Sequence, residues 1–229
     1  MKIALIMAMD IEYRKMCDVR GGKPQGTIGA NEIILWQCGV GKVNAAVGTM
    51  ELIQQHHPDC IISTGLAGGI DSSLHVMDIV ASTRLVYHDV DCGSNWERGQ
   101  MMGMPTFFDA DPQLLQKALS LDGVDGMRVV GGLMCTGDQF ITSREGQAAI
   151  KRNFPEGLAC EMESTAIAHT CFLSRRTQGT DSTGIPFLAV RVISDTPGNT
   201  DNHQQQWEDF LASMGEHSFH FVKRFLEKL

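Results

Sequence analysis

Residues 185–196 read I-P-F-L-A-V-R-V-I-S-D-T. The run is apolar almost throughout, so it predicts a strand buried on both faces, as found at the centre of an α/β sheet. Arg191 interrupts it and Ser194–Asp195 ends it. A guanidinium or carboxylate in a dry strand is heavily penalised by desolvation unless something pairs with it. From this segment alone two readings stand side by side. Arg191 and Asp195 form a structural ion pair at a strand end, or they belong to a ligand site, since ligands in open α/β sheets bind beyond the carboxyl ends of the strands.

Working outward, apolar β-rich runs at 3–9, 32–38, 60–64, 78–86, 127–135 and 158–161 alternate with helical patterns. Helices are predicted over 42–57, 111–121, 143–153 and 164–173, with a short one starting at Asp10. Asp10, Asp111 and Ser143 stand where N-caps belong, and Pro112 suits the first helical position. A closing amphipathic helix places Trp207, Phe210, Leu211, Met214, Phe221, Val222 and Phe225 on one face. Residues 89–108, with Gly93, Gly99, Gly103 and Pro105, read as a long functional or interface loop, and 174–184 as a polar one. No repeat or linker divides the chain. The expected fold is α/β, a central mixed, mostly parallel sheet flanked by helices, as one domain spanning 1–229.

The net charge of −8 comes without any basic block, which argues against nucleic acid or an anionic membrane as partner. The cysteines (Cys17, Cys38, Cys60, Cys92, Cys135, Cys160, Cys171) are odd in number and scattered without a C-x-x-C. They read as small buried residues of a reducing cytosol. The opening I-A-L-I-M-A-M is too short to span a membrane, and Asp10 and Glu12 follow at once, so it reads as a core strand. His88–Asp89 and His217/His220 lack further ligands at metal-binding spacing, and neither metal nor cofactor is expected.

Four stretches at strand-to-loop switches carry polar residues that the fold does not need. In Met9-Asp10-Ile11-Glu12, Glu12 is either first-turn helix charge or a carboxylate aimed into the crevice. Gly65-Leu66-Ala67-Gly68-Gly69 permits close backbone approach to a ligand, but it is not the dinucleotide fingerprint. Gly39-Val40-Gly41-Lys42 likewise lacks P-loop spacing. In Thr136-Gly137-Asp138-Gln139-Phe140-Ile141, the aromatic is either core or a platform for a flat heterocycle. In Cys160-Glu161-Met162-Glu163-Ser164, the carboxylates either cap the following helix or accept hydrogen bonds from vicinal hydroxyls, which suit an acceptor-only group.

Taken together, A-M-D-I-E at 8–12, G-V-G-K at 39–42, T-G-L-A-G-G at 64–69, G-D-Q-F-I at 137–141, E-M-E-S-T-A at 161–166 and R-V-I-S-D at 191–195 form a recognisable order. The chain resembles, from its first residue to its last helix, the 5′-methylthioadenosine/S-adenosylhomocysteine nucleosidases of the purine nucleoside phosphorylase superfamily. The resemblance implies a cytosolic, homodimeric hydrolase of adenine nucleosides that needs no cofactor. It implies that Glu12 activates the attacking water, Asp195 protonates N7 of the purine and Glu163 binds the ribose 2′- and 3′-hydroxyls. Phe140 would stack on the base, Ile141 would present backbone groups to its edge and Met162 would pack on the sugar. Arg191 and Ser194 would orient the carboxylates, Met9, Val40, Leu66, Ala67 and Gly68 would line the pocket, and Trp207 would close over the ligand.

The chemistry agrees with that assignment. Glycoside cleavage pairs a general acid with a base across the scissile bond, so Asp195 needs a raised pKa and Glu12 must stay ionised. The glycine turns bring no Arg for a phosphate, which favours water as nucleophile. Leu66 makes one wall more apolar than in many relatives, the 91–104 loop is shorter and altered at Asn95, Trp96 and Met102, and 174–184 looks like an insertion. These departures bear on the 5′-substituent. The competing readings are a phosphorylase or hydrolase of another purine nucleoside, futalosine-type included, and a nucleoside-binding module without turnover.

Overall fold

The computed structural model describes residues 1–19, 22–174, 184–196, 210 and 216–229. Trp207, Leu211, Met214 and most of the expected 174–184 loop lie outside the described residues. The order of elements is β1 (Lys2–Met7), α1 (Asp10–Val19), β2 (Gln25–Ile28), β3 (Asn31–Gln37), α2 (Lys42–His56), β4 (Cys60–Gly69), β5 (Ile79–Tyr87) and β6 (Phe108–Asp109), then α3 (Pro112–Leu119), β7 (Val129–Thr136), α4 (Arg144–Asn153), β8 (Gly157–Glu161), α5 (Ser164–Ser174), β9 (Phe187–Asp195) and α6 (Glu216–Lys228).

Among the described residues nine strands join one mixed sheet in the order β2-β3-β1-β4-β8-β7-β5-β6, with β9 paired to both β4 and β5. The β1–β3, β1–β4, β4–β9, β5–β7 and β7–β8 ladders are parallel. The β2–β3, β4–β8, β5–β6 and β5–β9 ladders are antiparallel. Pairing therefore runs in a closed circuit through β4, β8, β7, β5, β9 and back to β4, and the sheet curls on itself instead of staying open. β9, predicted from residues 185–196, is buried at every position and forms the seam of that circuit.

Side-chain alternation divides the core between the two faces of the sheet. In β1, Ile3, Leu5 and Met7 face a cluster completed by Leu114 of α3 and by Phe221, Val222 and Phe225 of α6. Ala4 and Ile6 face the other cluster, with Ala45, Leu52 and Ile53 of α2 and Ile167 of α5. This two-sided burial is why the strands read as continuous apolar runs.

Several local expectations hold. Asp111 caps α3, accepting hydrogen bonds from Gln113 N and Leu114 N, with Pro112 just inside. Ser143 caps α4 through Gly146 N. Asp10 instead stands as the first residue of α1 and pairs with Arg14 at 2.8 Å. The first-turn return bond comes from Glu12, whose Oε2 accepts from Met9 N. Cys17, Cys38 and Cys92 are half-buried and not fully interior, whereas Cys60, Cys135, Cys160 and Cys171 are buried.

The expected strand 60–64 runs on to Gly69, so G-L-A-G-G is a bent strand and not a loop. Its ladder with β9 shifts register between Ala67 and Gly68, and its last two residues cross to pair with β8. Glycines inside a strand mark such a bend or a close approach. At Gly65 the approach is visible, because a Cβ there would lie 2.6 Å from Glu12 Oε1.

Candidate active site

A cavity of about 290 Å³ opens where the ends of β1, β4, β8 and β9 meet the turns after β3 and β7. Glu12, Glu163 and Asp195 all contribute to its lining. Each reaches it from a different element, and each is buried, at 4%, 7% and 2% exposure.

Glu12 enters from the first turn of α1. Its Oε2 accepts from Met9 N at 2.9 Å and its Oε1 from Leu66 N at 3.2 Å. Burial pushes its pKa up, while the Met9 N–H, the nearby Arg191 charge and the Leu66 N–H pull it back down. Asp195 is the last residue of β9, and Ser194 Oγ donates to its Oδ1 at 2.7 Å. Glu163 lies between β8 and α5, where its Oε1 accepts from Gly41 N at 2.8 Å. Burial and the neighbouring Glu161 charge raise its pKa to about 7, against the opposing pull of Arg191 and the Gly41 N–H.

A fourth carboxylate, Glu161, also borders the cavity, at the position the sequence offers as a helix cap. Glu161 Oε2 accepts from Glu163 N, Ser164 N and Arg191 Nη2 at 3.0, 2.8 and 3.0 Å. Its Oε1 accepts from Thr136 Oγ1. The cap reading is therefore right, since Glu161 satisfies the first amides of α5, where a carboxylate also complements the helix dipole. It is also the answer to the buried charge of β9. Arg191, 3% exposed, is neutralised by Glu161 and donates to Ser63 Oγ at 3.0 Å. The structural Arg191–Asp195 pair considered from sequence is replaced by an Arg191–Glu161 pair. Arg191 lies outside the cavity lining, which corrects its expected place among the binding residues. Its charge still reaches Glu12 and Glu163 from behind.

The remaining expected wall residues converge on the same cavity. Met9 and Val40 line one part, Leu66, Ala67 and Gly68 of β4 another, and Phe140, Ile141 and Met162 a third, with Ser194 beside Asp195. Phe140 is 50% exposed, which sets it at the mouth and not in the core. Trp207 lies outside the described residues. Sequence reasoning missed Ala8, Gln139, Cys160 and Glu161 as lining residues. Each lies within two residues of one already singled out, which was the available signal. The 91–104 loop contributes no lining residue within one chain; it is held by Arg98–Asp91 and Gly99 N–Val90 O contacts. Among the described residues, no group of three or more His, Cys, Asp or Glu is placed to hold a metal ion.

The raised pKa of Glu163 has a thermodynamic consequence. Between its ordinary value of 4.5 and about 7 the folded state binds more protons than the unfolded one, so this group makes the fold less stable as pH rises through that window. Gln at this position keeps an acceptor for Gly41 N without the charge. Glu163→Gln is expected to be more stable than the parent at pH 8 by roughly 1–3 kcal/mol, the difference shrinking toward pH 4.5. Thermal melts across that range check it, and a variant less stable than the parent at pH 8 contradicts it.

A protein-family pattern described as Phosphorylase superfamily matches residues 2–227. A 5′-methylthioadenosine/S-adenosylhomocysteine nucleosidase from Bacillus cereus (strain B4264) is 36% identical over 241 aligned residues, with 100% of both chains covered. Among solved structures, the S-adenosylhomocysteine nucleosidase of Streptococcus pyogenes, in complex with 5-methylthiotubericidin, matches with TM-score 0.85 and 33% identity. That match covers 100% of this chain and 97% of the other. The 5′-methylthioadenosine/S-adenosylhomocysteine nucleosidase of Colwellia psychrerythraea 34H, in complex with adenine, matches with TM-score 0.86 and 32% identity, covering 100% and 96%.

Proposed function

The chain belongs to the phosphorylase superfamily, and from that premise we propose that it hydrolyses the N-glycosidic bond of 5′-methylthioadenosine and S-adenosylhomocysteine, releasing adenine and the 5-thio-ribose. The observation that carries this reading is the convergence of Glu12, Glu163 and Asp195 on one apolar-walled cavity.

Each group has a task matched to its surroundings. The bond from C1′ to N9 breaks through an oxocarbenium-like state, so the base must leave without accumulating negative charge. Asp195 gives its proton to N7, and adenine departs neutral. Ser194 fixes the Asp195 carboxyl through Oδ1. Glu12 takes a proton from the water as its oxygen bonds to C1′. The two backbone N–H groups on Glu12 hold that carboxylate in one orientation for the task. Glu163 accepts from the ribose 2′- and 3′-hydroxyls in its ionised form, which ties binding to its deprotonation near pH 7. Phe140 and Ile141 take the base, and Met162 packs on the sugar.

Water is the nucleophile in this account because, among the described residues, no Lys or Arg lines the cavity. Phosphate would need such a cation, and Arg191 is committed to Glu161. Incubation with methylthioadenosine, S-adenosylhomocysteine, adenosine and inosine tests the substrate class. Free adenine from the two thio-nucleosides is expected, and base release from inosine alone contradicts the reading.

The same reading makes the protein a cytosolic homodimer. Its free cysteines suit a reducing compartment. Val43 and Val47, one turn apart on α2, are 74% and 54% exposed and Met102 is 62% exposed, which supports a face shared between copies of the chain. Light scattering should return twice the 25.1 kDa chain mass; a monomer at micromolar concentration rejects the dimer.

A further inference from the structure

Lys42 is the first residue of α2, directly behind the Gly39-Val40-Gly41 turn. Its Nζ lies 2.6 Å from Asp89 Oδ2 and 3.7 Å from Asp138 Oδ2, and 5.5 Å from the centre of the Tyr87 ring. The backbone joins the same pieces. Lys42 N donates to Asp138 Oδ1 at 2.8 Å, and Asp138 N donates to Asp89 Oδ2 at 2.9 Å. The Lys42 and Asp89 side chains are 22% and 15% exposed, so this pair is better shielded than an ordinary surface ion pair.

Both of the segments so joined contribute to the cavity, and in the nucleosidase reading they serve different parts of the substrate. The turn before Lys42 supplies Gly41 N to Glu163, on the sugar side. The segment after β7 supplies Phe140 and Ile141, on the base side. They pack closely where they meet. Gly41 has φ 92, and a Cβ there would lie 3.2 Å from Asp138 Oδ1. None of Lys42, Asp89 and Asp138 lines the cavity.

We propose that Lys42 is a positioning residue whose ammonium, through Asp89 and Asp138, locks the 39–42 turn to the 137–141 segment and so holds the sugar-side and base-side contacts of the cavity in register. The proposal rests on the nucleosidase reading of the cavity. The groups facing Glu163 are Glu161 at the end of β8, Arg191 on β9, Glu12 on α1, the Cys38 thiol after β3 and the Gly41 N–H. When the turn loosens, Glu163 loses the Gly41 N–H and keeps two negative neighbours. It then holds its proton to higher pH.

The test uses the full chain with Lys42→Met, Lys42→Arg and, should Lys42→Met not fold, Asp89→Asn read in the same way. Lys42→Met is expected to raise KM for methylthioadenosine about tenfold while kcat changes by less than about threefold. The acid limb of kcat/KM moves to higher pH, and Lys42→Arg recovers most of the loss. Hydrogen exchange should rise together in residues 38–44 and 137–141. Parental KM and acid limb, or faster exchange in one segment only or in neither, overturn the proposal. If the parent itself releases no adenine, the nucleosidase reading fails separately, and the exchange measurement alone decides whether Lys42 joins the two segments.

Discussion

Asp195→Asn is expected to lower kcat on methylthioadenosine about 10³-fold, within the 10²–10⁴ range that a positioned proton donor contributes, while the fold and nucleoside binding persist. The substitution is nearly isosteric, and an Asn side chain can still accept from Ser194 Oγ as the Asp195 carboxyl does at 2.7 Å. In the proposed mechanism, what it loses is the acidic proton. Adenine would then have to leave as an anion from a cavity whose lining includes three other carboxylates, Glu12, Glu161 and Glu163. Steady-state kinetics with a melt and a binding isotherm on the same sample check this. A variant that keeps near-parental kcat removes Asp195 from the leaving-group role.

Glu12→Gln should produce a loss of similar size, about 10²–10⁴-fold in kcat, with a different cause. The amide oxygen can still accept from Met9 N, so the start of α1 is preserved. An amide cannot take the proton of the attacking water. The variant should bind substrate with little change and accumulate the bound complex without releasing adenine. Because the two groups act on one transition state in the proposed mechanism, the double variant Glu12→Gln/Asp195→Asn is expected to fall well short of the product of the single losses. Multiplicative losses would mean that the two residues act independently.

Much of the fold was legible in local chemistry. Continuous apolar runs identified the strands buried on both faces, and Asp111 and Ser143 announced their helices because capping is a local rule. The four-residue β2 and the two-residue β6 were not legible. Both are edge segments with little apolar signal, and each is a strand only because a neighbour pairs with it. Nor could composition reveal that β4 runs on through G-L-A-G-G, since that extension is held by parallel pairing to β9 as far as Gly68 and by antiparallel pairing of Gly68 and Gly69 to β8. The closed circuit through β9 is likewise a property of long-range pairing and leaves no mark in any one strand.

At the site, residue types at strand ends were readable and partnerships were not. Arg191 in a dry strand demanded a counter-charge, yet whether Glu161 or Asp195 supplied it depends on which strand ends meet in space. The space that Glu12 needs beside Gly65 exists only once α1 packs over β4. Lys42 looked like the tail of a glycine turn, because its partner Asp89 lies 47 residues away in sequence.

In the proposed mechanism three buried carboxylates direct water, and not phosphate, at C1′ of an adenine nucleoside. Adenine release from methylthioadenosine in phosphate-free buffer, repeated with phosphate added, measures this directly. The same rate is expected in both, with free 5-methylthioribose as the other product. Release that requires phosphate and yields a ribose 1-phosphate contradicts it.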